Sequence, residues 1–347
     1  MQALKKFFLF VCFVLFTVLI FAQTTLQLPR NFLNAYEKNN TRSLNGEPGK
    51  NYWQNTADYT IDVHFNPETL MVSGSETIVY TNNSPDTLHN TWFKLYPNLY
   101  KKGNIRDMSI DQEDLTNGVK VTDVFVNDSA VNNKAMRING TNMVLRNTTI
   151  LPHSTVNFKL TFSYTLNKGS HIRTGEVDEG SSFIAYFFPR IAVYDDIDGW
   201  NQKPYVGSQE FYNDFCNFSV NISVPKNYIV WATGTLANCN EVLNKQYCER
   251  LYNAEQSNET VYIIDSTDLQ KNNSITKNND INTWHFDATH VTDFVFATSN
   301  HYLWRSTSLI VDSSSRRRTR VDVAFNPTHK DFYEVMDFAR KTVEYMS

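Results

Sequence analysis

Three stretches of strict two-residue alternation constrain this chain more than any other feature of it. Tyr59-Ile61-Val63-Phe65, Val156-Phe158-Leu160-Phe162-Tyr164 and Phe218-Val220-Ile222-Val224 each place an apolar side chain at every second position. A strand points successive side chains to opposite faces, so this period suits a sheet with one buried face and does not suit a helix. Asn139-Gly140, between Arg137-Ile138 and Met143-Val144, reads as a two-residue hairpin turn. Short strands separated by Asn, Asp and Gly turns predict a mostly β protein, a large antiparallel sheet or sandwich. With 347 residues of which 41% are hydrophobic, the chain can pack one large β domain or two domains.

The two ends read differently from this middle. Lys5 and Lys6 precede the apolar run Phe7–Ala22, which predicts a cleaved secretory signal over residues 1–22. That run is short for a bilayer span, so the mature chain is expected to be exported, whether to periplasm, cell surface or medium, with no stable membrane span. Residues 23–50 are polar and read as a leader. From His329 onward the period becomes helical, with Phe332, Val335, Met336, Ala339 and Val343 on one face. This helix is expected to open a second domain, with that face lacking an adequate partner in the chain. Two strands precede it, Leu309–Val311 and Val321–Phe325, and the polar run 312–320 with Arg316, Arg317, Arg318 and Arg320 reads as a solvated loop between them.

Searches for chemistry return little. A net charge of −4 without a long basic stripe argues against nucleic acid as a partner. No His-Glu-x-x-His, Gly-x-Ser-x-Gly or phosphate-cradling glycine motif occurs. His285 and His290 fall on opposite faces of a strand, and His301 sets no ligand spacing, so no zinc or other cofactor is expected in the chain. Asp195, Asp196 and Asp198 form the densest carboxylate cluster but lack EF-hand spacing, and read as a loop holding its own turn. In an oxidising compartment Cys239 and Cys248, which flank the polar segment 240–247, could pair as a disulfide; spacing alone leaves this open. Cys216 opens an alternating strand and reads as a buried thiol.

Phe188-Pro189-Arg190-Ile191-Ala192-Val193-Tyr194-Asp195-Asp196 with Gly199-Trp200 is followed by Val224-Pro225-Lys226-Asn227-Tyr228 and Ala232-Thr233-Gly234. This block resembles the amino-terminal β domain of M1-family zinc aminopeptidases of the secreted bacterial branch. Further similar blocks follow in order: Tyr52-Trp53-Gln54-Asn55 with Ala57-Asp58-Tyr59, Val79–Leu88, Leu95-Tyr96-Pro97-Asn98, Arg173-Thr174-Gly175, and Thr283–Phe286 through Asp293-Phe294-Val295-Phe296-Ala297. The resemblance implies a saddle-like β domain over 51–318. Residues 319–347 would then be the first strand and helix of a truncated, α-rich, thermolysin-like catalytic domain.

By the same resemblance, zinc and the peptide-cleaving residues belong to the domain that follows, so no catalytic or metal residue carries over to this chain. Peptides are the expected substrates only if that domain is present. Where the subgroup tends to have a Gln that anchors the substrate amine, this chain has Tyr186. Tyr186, Pro189, Arg190, Tyr194, Asp195 and Trp200 are expected to form or fix a loop bordering the cleft. The chain alone should be inactive. The alternative is a non-catalytic exported β-sandwich that binds or scaffolds.

Overall fold

The computed structural model describes residues 27–271 and 275–347, so the signal expected at 1–22 lies outside the described residues. By its contacts the chain divides into two compact units. One comprises the residues up to 53 together with 195–199, and the other comprises 54–194 with 200–347.

In the first unit, the segment expected only as a leader carries a helical turn, Arg30–Leu33, that continues as a π-helix, Asn34–Lys38. The Thr41 hydroxyl donates to the Ala35 carbonyl at 3.0 Å. The Arg42 guanidinium holds Asp196 through two parallel bonds of 2.9 and 3.1 Å. Such a fork is what lets a polar segment with few apolar residues keep one conformation.

The second unit opens with β1 (Thr56–Asn66), β2 (Met71–Asn82), β3 (Leu88–Lys94), β4 (Lys120–Val126) and β5 (Ser129–Ala130). Next come β6 (Met136–Asn139), β7 (Asn142–Ile150), β8 (Ser154–Thr165), β9 (Gly175–Asp178), β10 (Ser181–Ile184) and β11 (Arg190–Ile191). The short β12 (Tyr194–Asp195) and β13 (Gly199–Trp200), each with one residue counted in the first unit, precede β14 (Cys216–Pro225), β15 (Ile229–Ala232) and β16 (Thr235–Leu236). The last five are β17 (Val261–Ile264), β18 (Ile281–Val291), β19 (Phe296–Ser299), β20 (Leu303–Asp312) and β21 (Arg317–Phe325).

An eight-stranded sheet runs in the order β16-β18-β14-β1-β2-β8-β4-β5, and two four-stranded sheets run β15-β19-β10-β9 and β11-β3-β7-β6. The protein is mostly β, with antiparallel pairing throughout these sheets except at one place. There β1 lies parallel to β14, with Asp58 opposite Asn217 and Val63 opposite Ile222. Alternation identifies a strand but carries no information about the direction of a neighbour far away in sequence.

The alternating strands bury the predicted faces: Ile61 and Phe65 of β1, Phe158 of β8, and Val220, Ile222 and Val224 of β14 are fully enclosed. They share one core with Phe93, Met143 and Leu145 from β3 and β7, and with Ile184 and Phe296 from β10 and β19. Enclosing each such side chain contributes roughly 1.5–3 kcal/mol, which is what joins the sheets. The β6–β7 hairpin sits one residue later than predicted. Asn139 pairs with Asn142, so Gly140 and Thr141 form the turn, and Gly140 supplies the left-handed backbone at φ +59°.

At the carboxyl end, β17, β20 and β21 form a three-stranded sheet. Two expectations are corrected here. The basic run is not a loop from end to end: Arg317–Arg320 belongs to β21, which also spans residue 319. Arg318 donates to the Ser308 hydroxyl and to Asn258, while Arg320 pairs with Glu255 and Asp322. The helix does find a partner. After a short 3-10 turn, Lys330–Glu334, the α-helix Val335–Met346 seats Met336, only 2% exposed, among Leu303, Leu309, Val321, Val323 and Phe325. Val335, Ala339 and Val343 rest on the same cluster, and Phe332 stacks on Phe325.

Met336→Asp should therefore release this helix, since it places a charge where an apolar anchor sat and costs about 3 kcal/mol or more. Hydrogen exchange should show protection lost across 335–346 and kept in β1, β2 and β14. Unchanged protection of the helix would contradict this packing.

Candidate functional site

The aromatic-Pro-Arg block runs through the interior. Pro189 and Arg190 are buried, Arg190 being only 2% exposed. The guanidinium donates to the Asp214 carbonyl at 2.8 Å and lies 3.6 Å from the Asp293 carboxylate. It also faces the rings of Tyr59 and Phe218, at 5.9 and 5.7 Å to their centroids. The next backbone N–H, from Ile191, donates to the Tyr59 hydroxyl at 3.1 Å. Arg190 is thus a core strut joining β11, β1, β14 and the turn before β19, and not a surface group open to substrate.

Glu76 on β2 shares this interior. It is 2% exposed, and burial holds its carboxyl well above the usual value, with the Arg190 charge acting in the opposite sense. Burial thus favours the protonated form of Glu76 in the folded protein relative to the unfolded chain. The folded state then binds more protons than the unfolded one, so this group's contribution to stability falls as pH rises above about 4.5. Glu76→Gln should flatten that slope, measurable by urea denaturation at pH 5 and pH 8. An unchanged slope would show that Glu76 is charged when folded.

The remaining predicted residues separate. Tyr186 is buried in a ring cluster with Tyr96, Tyr205 and Phe211, and its hydroxyl donates to the Ile172 carbonyl at 2.6 Å. That bond and those rings hold it at φ +42°, a conformation rare for a bulky residue. Tyr194 donates to Asp86 at 2.8 Å, and Trp200 packs on Tyr80 and Tyr194. In the first unit, Asp195 accepts from the backbone N–H groups of Ile197 and Asp198, Asp196 is held by Arg42, and Asp198 accepts from Asn31. The acidic loop thus spends its oxygens on its own turn and on nearby side chains.

Cys239 and Cys248 are joined, with Cα atoms 5.9 Å apart, and burial pushes the Cys216 thiol up to about 11. The histidines have separate partners: His285 bonds Asn221 and Asp287, His290 stacks on Phe215, and His301 bonds Asn300 and Asp178. Among the described residues no group of three His, Cys, Asp or Glu side chains is placed to hold a metal ion. No helix among them is long and apolar enough to cross a membrane.

One feature lay outside the sequence reading. The outer face of the β3-β7-β6 sheet forms the floor of a cleft of about 600 Å³, lined among others by Trp92, Arg137, Asn139, Arg146 and Gln202. Beside it, the buried Lys94 ammonium donates to Asn142 at 2.9 Å and to the Lys203 carbonyl at 2.7 Å, and burial lowers it to about 8. The alternation of Asn90, Trp92 and Lys94 was the available signal; the pairing that completes the floor was not readable.

No protein-family model matches the chain, and no curated protein matches it. Among solved structures it is similar to the M1 zinc metallopeptidase of Deinococcus radiodurans, with a TM-score of 0.43 and 12% identity over 81% of this chain and 49% of that one. A mutant of the Deinococcus enzyme bound to a Tyr-Ser-Ala substrate gives 0.44 and 12%, over 84% and 54%. Legionella pneumophila aminopeptidase A in complex with aspartic acid gives 0.42 and 9%, over 79% and 25%. The chain spans about half the length of the Deinococcus chains and a quarter of the Legionella chain.

Proposed function

We propose that this chain is the amino-terminal β portion of an exported M1-type zinc aminopeptidase of the secreted bacterial branch. In this reading the chain has no peptidase activity by itself, and β21 with the helix Val335–Met346 leads into the catalytic part. One observation carries the proposal. Three of the family-like blocks, far apart in sequence, meet at one guanidinium: Arg190 from the aromatic-Pro-Arg block, Tyr59 from the entry strand, and Asp293 from the last strands. Residues that depend on one another in a buried constellation account for why such separate blocks occur together.

The described residues do not fit a zinc site, so no step of peptide hydrolysis is assigned to them. Tyr186, with its hydroxyl held by Ile172, is not free to anchor a substrate amine. A second reading, a stand-alone exported binding protein, is favoured by the seat that Met336 has on the β20–β21 hairpin.

Two measurements test these readings. The protein lacking residues 1–22 should carry no stoichiometric zinc by elemental analysis and should release nothing from aminoacyl-nitroanilides; one zinc per chain with chelator-sensitive turnover would sink the inactive reading. Coding DNA beyond the Ser347 codon should continue in frame to a His-Glu-x-x-His motif. A stop without such a frame would favour the stand-alone protein.

A further inference from the structure

The geometry points to a binding site for an acidic oligosaccharide on the outer face of the β3-β7-β6 sheet. This inference does not depend on the peptidase reading.

Strand register builds the floor. Trp92 on β3 and Arg137 on β6 both pair with Val144 on β7, so the three form one rung across the sheet. Two strand spacings, about 10 Å, separate the backbone positions that carry the indole and the guanidinium, close to the span of a disaccharide. One rung along, Arg146 pairs with Asn90, which sets Arg146 diagonally to Arg137 at roughly 7–8 Å. The alternate residues Phe93, Met143 and Leu145 point into the core, so the strands that carry the cleft are fixed from beneath.

The wall is equally fixed. The Asn142 side-chain amide donates to the Gln202 carbonyl at 2.6 Å, the Tyr205 N–H donates to the Thr141 hydroxyl at 2.7 Å, and that hydroxyl donates to the Tyr205 carbonyl at 3.1 Å. A site built on paired strands and a tied segment does not have to be ordered when a ligand arrives.

The chemistry of the lining selects the ligand. Among the described residues no Asp or Glu lines the cleft, in a chain whose net charge is −4. Arg137 and Arg146 are both exposed, and no carboxylate among the described residues pairs with either. Guanidinium groups in that state match carboxylate or sulfate oxygens in paired fashion. The half-buried Trp92 offers a flat apolar face for the C–H side of a pyranose ring, and the exposed amides of Asn139 and Gln202 can both give and accept bonds to hydroxyls. A peptide could add to the outer edge of β6, but the indole and the amides lie on the sheet face, where a ring bearing hydroxyls uses both. Charge, a stacking platform and amides together fit a sugar acid or a sulfated sugar.

Calorimetry on the purified protein tests the assignment with a short oligogalacturonate, a heparin-derived oligosaccharide, a neutral cello-oligosaccharide of matched length and an oligo-aspartate of matched charge. At least one acidic sugar should bind, at least about tenfold more tightly than the neutral sugar and the peptide, and more weakly as salt rises. Trp92→Ala and the double variant Arg137→Ala, Arg146→Ala should each lose about tenfold or more with unchanged Tm, and Trp92→Phe should keep most of the affinity. Failure of both acidic sugars to bind overturns the assignment. So does equal binding of the neutral sugar or the peptide, or acidic-sugar binding that survives the double arginine variant.

Discussion

Replacing Arg190 with methionine should destabilise the protein by about 3 kcal/mol, the low end of the range for breaking a buried charged pair, because the Asp293 side chain is 24% exposed. The variant keeps the volume but leaves Asp293 without this cation and removes the guanidinium's bond to the Asp214 carbonyl. Urea denaturation should show a lower midpoint at unchanged slope. Arg190→Lys should also lose stability, because a single ammonium cannot spread donors toward Asp214 and Asp293 while lying against the Tyr59 and Phe218 rings. Adding Asp293→Leu to Arg190→Met should recover much of the loss, since the stranded carboxylate is then gone as well. A single variant within about 1 kcal/mol of the parent would mean that Arg190 contributes packing and no electrostatic joint.

Removing the Cys239–Cys248 disulfide should be the next largest effect. The bridge closes a loop with a separation of nine residues, for which chain entropy alone predicts about 2.6 kcal/mol. It joins the helical turn Cys239–Val242 to the helix Lys245–Gln256, and both sulfurs lie in the core. The second helix has another tie, since Arg250 and Lys271 both hold the Asp268 carboxylate. Loss of the bridge should therefore lower Tm without unfolding the helix outright. The double variant Cys239→Ser, Cys248→Ser should melt about 5 °C or more below the parent. Reductant should bring the parent down to the same value and leave the variant where it is. Equal melting of oxidised and reduced parent would argue against a structural role for the bridge.

What the sequence disclosed follows from which forces are local. The strands of the main sheet were legible because Ile61, Phe158 and Val220 each obey a period set by their own backbone. The last helix was legible for the same reason, through its three- and four-residue spacing. Its seat was not, because Leu303, Leu309 and Val323 reach Met336 only once β20 and β21 have paired. Arg317–Arg320 reads as loop because its side chains are charged, yet Ser308, Asn258, Glu255 and Asp322 give those charges partners beside a strand. Arg190 could be singled out from its block, but burial of a guanidinium depends on Tyr59, Asp214, Phe218 and Asp293, which the sequence does not place near it. The cleft floor is likewise a product of register, since Trp92 and Arg137 become neighbours of one valine only by pairing.

The parallel pairing of β1 with β14 also sets a timetable for folding. Asp58 meets Asn217 across 159 residues, whereas β1 and β2 join through a tight turn and β8 adds to β2 soon afterwards. A chain emerging from its amino end can therefore assemble β1, β2, β8 and β4 early, and must then wait for β14 and β18. During that interval β1, eleven residues long and apolar on one face, is an open edge able to recruit another chain. The slow, concentration-sensitive step in making this protein should be the capping of that edge, and the residues that guard its yield are those of β14, far from where the exposure begins.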